Sequence, residues 1–471
     1  EPSIGLHPRD MGRIVEVMHR LRDAGNTLVV VEHDPQAMVA ANRILEIGPG
    51  PGERGGEIVF DGTPEELRSA DTLTGKYLGN VLRVEAPLPM KVSDKTPKLL
   101  LEGVTHNNLK NVDVAFPLNR LVCVTGVSGS GKSTLIQDVL FPALLKHFGE
   151  PTESPGEYQH LLGAEQLASV VMVDQSPIGK TARSNPASYV GAFNAIRNLF
   201  AQAPMSLERG YKPGTFSFNS GDGRCPTCKG TGFEHIEMQF LSDVYLRCPD
   251  CHGKRFRDEV CEVRVDHLGQ SASIDEVLEM TVHQALAFFK GLREVQTALQ
   301  PLIDVGLEYV KLGQPVPTLS GGEAQRLKLA GHLAEASRSR TKGKQLALKG
   351  SLFLFDEPTT GLHFDDVARL MQAFRKLLAA GHSLIIIEHN LDLVRAADWL
   401  VDLGPGGGEY GGQVIAHGTP DDLKEVAQSY TGQALKEYEE DIVRAANSTH
   451  RTELIAADKA IASSADYKEQ S

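Results

Sequence analysis

Three short motifs in a fixed order constrain this chain more than anything else in it. Gly126-Val127-Ser128-Gly129-Ser130-Gly131-Lys132-Ser133 is a full G-x-x-x-x-G-K-S loop. Leu319-Ser320-Gly321-Gly322-Glu323 follows, with Ser320 188 residues beyond Lys132. Leu352-Phe353-Leu354-Phe355 then runs into Asp356-Glu357, 36 residues after Ser320. The apolar run Leu121 to Thr125 predicts a buried strand before the first loop, and the spacing from Ser133 to Leu145 predicts a helix after it. A glycine-rich turn between strand and helix lets backbone N–H groups curl around phosphate oxygens. The expected fold class is α/β, with P-loop sheets and helical insertions.

Within the loop, Gly126, Ser128, Gly129, Ser130 and Gly131 form the phosphate cradle. Lys132 adds a point charge for the outer phosphates, Ser133 can ligate Mg²⁺, and Thr134 is grouped with them at the helix start. Asp356 would hold the Mg²⁺ shell, and Glu357 would orient an attacking water. Leu384 to Ile387 is another all-apolar strand, and His389 just beyond it would sense the γ-phosphate. Gln175, after the apolar stretch Val170 to Val173, fits a loop linking nucleotide to a partner domain. Alone, His389 or Gln175 reads as an ordinary loop residue; order and spacing favour the functional reading. Ser320 and Glu323 also make an S-x-x-E capping box. That helix start would offer the free N–H groups around Ser320, Gly321 and Gly322 to the γ-phosphate held by another cassette. Together these are the parts of an ABC-type ATPase, using ATP and Mg²⁺.

The chain also repeats itself. Glu1-Pro2-Ser3-Ile4-Gly5-Leu6-His7 matches Glu357-Pro358-Thr359-Thr360-Gly361-Leu362-His363 at an offset of 356 residues. The offset holds for His33 and His389, for Gly48 and Gly404, and for Gly62-Thr63-Pro64 and Gly418-Thr419-Pro420. The tail of one cassette thus reappears as the tail of the next. Glu1 and His33 are then the catalytic counterparts of Glu357 and His389. The first copy has no P-loop or signature loop, so a C-terminal fragment of a two-cassette protein is expected. Such a fragment would close an ATP sandwich only by pairing Lys132 of one copy with Ser320 of another.

Four of the six cysteines form Cys225-Pro226-Thr227-Cys228 and Cys248-Pro249-Asp250-Cys251, with 19 residues between the pairs. This C-x₂-C…C-x₂-C spacing predicts a structural Zn²⁺ site, with a disulfide framework as the alternative. Cys123 and Cys261 read as core residues. Net charge is −13, so any nucleic-acid surface must be local. The stretch Gln175 to Arg224 is locally basic through Lys180, Arg183, Arg197, Arg209, Lys212 and Arg224. Tyr189, Phe193, Phe200, Tyr211, Phe216 and Phe218 are interleaved with these charges. That suits a nucleic-acid backbone track, and equally a solvated face over core aromatics. No run approaches 18 apolar residues, so no membrane-spanning helix is expected.

These parts together resemble the UvrA family, the damage-recognition ATPases of bacterial nucleotide excision repair, from about residue 1 to about 430. Beyond the nucleotide motifs, the resemblance rests on Asp174-Gln175-Ser176-Pro177-Ile178-Gly179, Arg183-Ser184-Asn185-Pro186 and Phe216-Ser217-Phe218-Asn219, and on the zinc module lying between P-loop and signature loop. It implies a cytoplasmic, ATP-dependent homodimer that scans double-stranded DNA for distortion and loads a UvrB-type helicase subunit, cutting nothing itself. Hydrolysis would act as a conformational timer. Lys180, Arg183, Ser184, Asn185 and Tyr189 are the candidate DNA contacts. A paralogue with a drug-tolerance role is the alternative, because the loop Ser337 to Gly350 is longer than is usual in the family and the polar tail Glu437 to Ser471 resembles no motif of it. A transporter ATPase, a translation-factor ABC protein and a chaperone-type zinc module are weaker rivals.

The expected organisation has six parts. Residues 1–80 close cassette I, 81–97 link, and 98–195 open cassette II. Residues 196–318 are a signature and insertion domain with the zinc module at 225–251. Residues 319–433 close cassette II, and 434–471 form a helical or disordered tail.

Overall fold

The computed structural model describes residues 1–85, 88–176, 178, 183–236, 244–341 and 349–442. At its centre is a six-stranded sheet. From one edge its strands are Gln413–Gly418, Trp399–Gly404, Leu121–Gly126, Ser383–Ile387, Leu352–Asp356 and Val170–Val173. All neighbours are parallel except the first two, which pair antiparallel. Leu121–Gly126 and Ser383–Ile387 are buried at every position. That is why they read as unbroken apolar runs: a parallel sheet is covered on both faces. Alternate residues feed two cores. Cys123, Leu384 and Ile386 join one cluster, and Val122, Val124, Ile385 and Ile387 the other.

The P-loop follows the strand Leu121–Gly126, as expected. The helix after it opens as a π-turn over Thr134–Leu140 and becomes α-helical over Phe141–Phe148. Pro142 supplies the reason. It has no N–H to give the Asp138 carbonyl, and the Gly156 N–H donates to that carbonyl instead at 2.9 Å. A second, three-stranded antiparallel sheet (Val112–Pro117, Lys98–Val104, His160–Leu162) packs beside this helix.

Between P-loop and signature loop the chain builds a helical module around Phe193, Phe200, Phe216 and Phe218, all buried. These four aromatics are core of the module, so for them the expected basic-aromatic track is corrected to packed interior, while Tyr189 and Tyr211 of the same stretch are half-buried. The hairpin Phe233–Ile236 and Val244–Arg247 leads directly into Cys248. The signature helix spans Gly321–Thr341.

The sequence repeat is also a structural repeat. Helix Pro8–Asp23 matches Phe364–Ala379, and helix Pro64–Arg68 matches Pro420–Lys424, with identical bounds at an offset of 356. The hairpin Ile44–Gly48 and Glu57–Gly62 carries its register shift after Glu46, where its counterpart shifts after Asp402. One element fails to repeat. Residues 27–31 form no strand, and Val29 is 91% exposed where its counterpart Ile385 is 1% exposed. An apolar run becomes a strand only when neighbouring strands pair with it, and among the described residues these have none. Residues 430–442 are helical. Among the described residues no helix is long and apolar enough to cross a membrane.

Candidate functional site

Because its strands are parallel, the sheet delivers its chemistry along one edge. Register places Asp356 beside Ile387, and Ile387 beside Val124. Asp356, Glu357, Glu388 and the P-loop therefore emerge together at the carboxyl ends, where open α/β sheets bind ligands. The Glu357 N–H donates to the Ile387 carbonyl at 3.0 Å and holds φ at +43°. A non-glycine residue in the left-handed region is costly and concentrates at functional sites.

Gly126, Gly129 and Gly131 have φ of +130°, +75° and +106°, and a Cβ on Gly126 would lie 2.0 Å from the Leu403 carbonyl oxygen. Only glycine fits such a loop. Ser130 is fully buried, and its hydroxyl has no hydrogen-bond partner among the described residues. Ser128 donates to the Gly5 carbonyl at 2.9 Å. Ser133 is exposed, and Thr134 accepts weakly from Asn107. Lys132 is buried and donates to the carbonyls of Gly126 and Val127 at 2.9 and 3.1 Å. Burial lowers its pKa to about 8 against the opposing pull of Glu357, Asp402, Asp10 and Asp356. A glycine cradle, a buried cation and an orphaned hydroxyl suit the oxygens of a polyphosphate.

Asp356 accepts from the Gln137 amide at 2.6 Å, and burial raises its pKa. With Ser133 it could complete the oxygen shell of a divalent cation. Glu357 is pushed up to about 7, by burial first and then by Glu388 and Asp356. His389 Nε2 lies 3.8 Å from Glu357 Oε1, and both ring nitrogens are buried without a hydrogen-bond partner among the described residues. Burial, Lys132 and His7 hold that ring well below its usual pKa, hence neutral. Glu388 belongs to none of the motifs that mark the site in the sequence. It is buried and accepts from the backbone N–H groups of Thr359, His389 and Asn390 at 3.0, 2.6 and 2.9 Å, and from the Thr359 hydroxyl. It fastens the Glu357 loop to the His389 loop. The repeat carried the signal: Glu32 accepts equivalently from Ser3, His33 and Asp34. Glu1 and His33 lie 3.8 Å apart, the same separation as Glu357 and His389.

Gln175 is exposed and borders the signature loop, its Oε1 3.4 Å from where a Cβ on Gly321 would sit. Ser320 is exposed and forms the expected capping box with Glu323, the two bonds at 2.9 and 3.3 Å. A Cβ on Gly322 would lie 3.5 Å from the Thr360 carbonyl.

The four cysteines Cys225, Cys228, Cys248 and Cys251 bring their sulfurs within 4.8 Å of one another, and none forms a disulfide. The Cys225–Cys248 and Cys228–Cys251 separations are 4.0 and 3.6 Å. Thiolates at about 2.3 Å from a tetrahedral Zn²⁺ stand about 3.8 Å apart, so the set fits that ion. Lys229 and His252, each following a C-x-x-C, adopt φ of +52° and +49°, and Gly230 and Gly253 turn after them. The Gly232 N–H points to Cys228 Sγ at 3.3 Å.

Among the candidate DNA contacts, Lys180 lies outside the described residues. Arg183 is half-buried and donates to the Lys229 carbonyl beside Cys228 at 3.3 Å. The Ser184 carbonyl accepts from Val316, and Tyr189 packs half-buried against the signature helix at Gly331. Asn185 is fully buried and caps the helix Pro186–Tyr189 in a box with Ser188. It is corrected from a surface contact to a structural cap, because a side chain with no exposure cannot reach a phosphate.

Against known proteins, the sequence and the fold have clear counterparts. UvrABC system protein A of Clostridium tetani is 49% identical over 437 residues, covering 93% of this chain and 45% of that protein. Its counterpart in Thermus thermophilus is 51% identical over 425 residues, covering 90% and 43%. The chain belongs to the UvrA family. The crystal structure of UvrA2 from Deinococcus radiodurans superposes with a TM-score of 0.81 at 43% identity, over 93% of this chain and 51% of that one. No protein-family model matches. The chain spans about half the length of the UvrA relatives it matches.

Proposed function

We propose that this UvrA-family chain binds and hydrolyses ATP at the Lys132 site, and uses that cycle to recognise distorted duplex DNA. One observation carries the ATPase part. Lys132, Asp356, Glu357 and His389 converge on one sheet edge, with a carboxylate titrating near neutrality beside a neutral imidazole. A carboxylate with pKa near the working pH suits a residue that orients and deprotonates water. Neutral His389, with an orphaned nitrogen, can donate to a terminal phosphate oxygen. Lys132 neutralises the outer phosphates, and Asp356 with Ser133 would hold Mg²⁺, which supplies charge neutralisation across them. Zn²⁺ at the four cysteines would brace a module whose own core is small.

The DNA part rests on membership of the family and on the locally basic stretch Gln175 to Arg224, whose Arg183 reaches the cysteine module. Ser320, Gly321 and Gly322 would serve the nucleotide of an opposite cassette, so pairing of two copies accompanies activity. A UvrB-type helicase subunit is the expected downstream partner. The test is equilibrium binding to lesion-bearing and undamaged duplexes, with and without ATP. ATP-dependent preference for the lesion supports the reading; equal affinity under both conditions removes it.

A further inference from the structure

Beneath the P-loop, Asp402 lies at 2% exposure and ends in a closed set of hydroxyls. Thr125, Ser429 and Thr431 donate to its carboxylate at 2.8, 2.6 and 2.8 Å. Thr431 Oγ1 stands in turn 3.2 Å from His7 Nε2, across the whole length of the repeat. Proton direction along these bonds is fixed. His7 Nδ1 accepts the Arg9 N–H, so the ring proton is on Nε2. Thr431 spends its own proton on Asp402 and accepts from His7. Burial first, then Lys132, lowers the His7 pKa to about 4, which keeps the ring in that neutral tautomer.

The same arrangement runs in the opposite direction. His363 Nδ1 accepts from Asp365, its Nε2 meets Thr74 Oγ1 at 3.2 Å, and Thr74 donates to Glu46 at 2.6 Å. Glu46 and Asp402 are repeat counterparts, and so are His7 and His363. Thr74 and Thr431 are offset by one residue more than the rest, yet each still brings a hydroxyl between the other copy's histidine and its own copy's acid. A chance contact would not survive both the slip and the change from Asp to Glu.

What His7 anchors is the loop 1–7. Its Gly5 lies against the Glu357 carboxylate, where a Cβ on it would stand 3.3 Å from Oε1, and the Gly5 carbonyl accepts from Ser128 of the P-loop. The His7 ring also stands edge-on to His389, with centroids 5.9 Å apart. We propose that His7 is a positioning residue for hydrolysis at the Lys132–Glu357 site, acting through Thr431 and Asp402 to hold loop 1–7 of one repeat against the glutamate of the other. This deepens the ATPase reading above and rests on it.

The test compares wild type with Thr431→Val, which deletes the hydroxyl at nearly constant volume, and Thr431→Ser, which keeps it. Three quantities are read: amide exchange at Gly5 and Leu6, affinity for a fluorescent ATP analogue, and kcat for ATP. In Thr431→Val, exchange should quicken and kcat should fall about tenfold with affinity unchanged, and Thr431→Ser should restore both. His7→Asn keeps an acceptor for the Arg9 N–H but cannot reach Thr431. It should reproduce the valine result and stands in if that variant does not fold. Unchanged exchange and kcat in Thr431→Val, with wild type turning over ATP, overturn the relay alone; equal losses in the valine and serine variants do so too. A wild type that binds but does not hydrolyse ATP overturns the ATPase reading, and the positioning role with it.

Discussion

Gly5 touches Glu357 from the far end of the chain: a Cβ on Gly5 would lie 3.3 Å from the Glu357 carboxylate, and its φ is +69°. The reciprocal contact exists as well, with a Cβ on Gly361 lying 3.2 Å from Glu1 at a φ of +67°. Each copy of the repeat thus presents a left-handed glycine to the other copy's glutamate. Gly5→Ala should lower stability by about 1 kcal/mol through the strained φ and should slow ATP turnover by displacing Glu357. Urea unfolding and a steady-state ATPase assay read the two effects separately. An alanine variant with wild-type turnover would show that the contact does not set the glutamate.

Glu357 predicts a pH dependence. Its pKa is raised to about 7, and the carboxylate is the form that would assist water in the proposed hydrolysis. The kcat/KM for ATP, which reports the free protein, should therefore rise through about pH 7 and be lost below it. Stability runs the other way. A folded pKa above the unfolded value near 4.5 contributes stability that is full below 4.5 and lost as pH rises through about 7. Glu357→Gln should remove this component from both curves.

The zinc module predicts a metal dependence. Wild type should carry one Zn²⁺ per chain by elemental analysis, and Cys248→Ser should lose it. Without the ion the knuckle should loosen and, through the Arg183 bond to Lys229, so should the loop leading to the signature face. Faster proteolysis within 225–251 checks this. Full zinc retention in Cys248→Ser contradicts the assignment.

Asn185 and its neighbours separate cap from contact. Asn185→Ala should cost about 1 kcal/mol of stability and leave the salt dependence of DNA binding unchanged. Charge removal at Lys180 and Arg183 should instead reduce the slope of log K against log salt by about one for each phosphate left without its cation. Binding isotherms at several salt concentrations read both.

Much of the candidate nucleotide site was legible because its signals are local. Glycine spacing, apolar runs and Asp356-Glu357 each sit within a few residues, and a parallel sheet turns such runs into one edge. The repeat likewise foretold the Glu1–His33 pair, which the structure gives at the same 3.8 Å as Glu357–His389. What was not legible depends on distant partners. Phe216 and Phe218 look the same in sequence whether they stack on bases or fill a core, and burial decides. Asn185 is polar and sits in a basic stretch, but the helix Pro186–Tyr189 takes it inside. Residues 27–31 have strand sequence and lack strand neighbours. The bond of His7 to Thr431 joins residues 424 apart, beyond any spacing rule.

The most direct test of the central claim, that Lys132 and Glu357 form an ATP-hydrolysing pair, sets two variants beside each other. Lys132→Ala removes phosphate neutralisation and Glu357→Gln removes only water activation. Affinity for ATP and single-turnover hydrolysis are measured for both against wild type. Lys132→Ala should lose ATP binding, while Glu357→Gln should bind ATP as wild type does and hydrolyse it about a hundredfold or more slowly. Equal hydrolysis by Glu357→Gln and wild type would contradict the account.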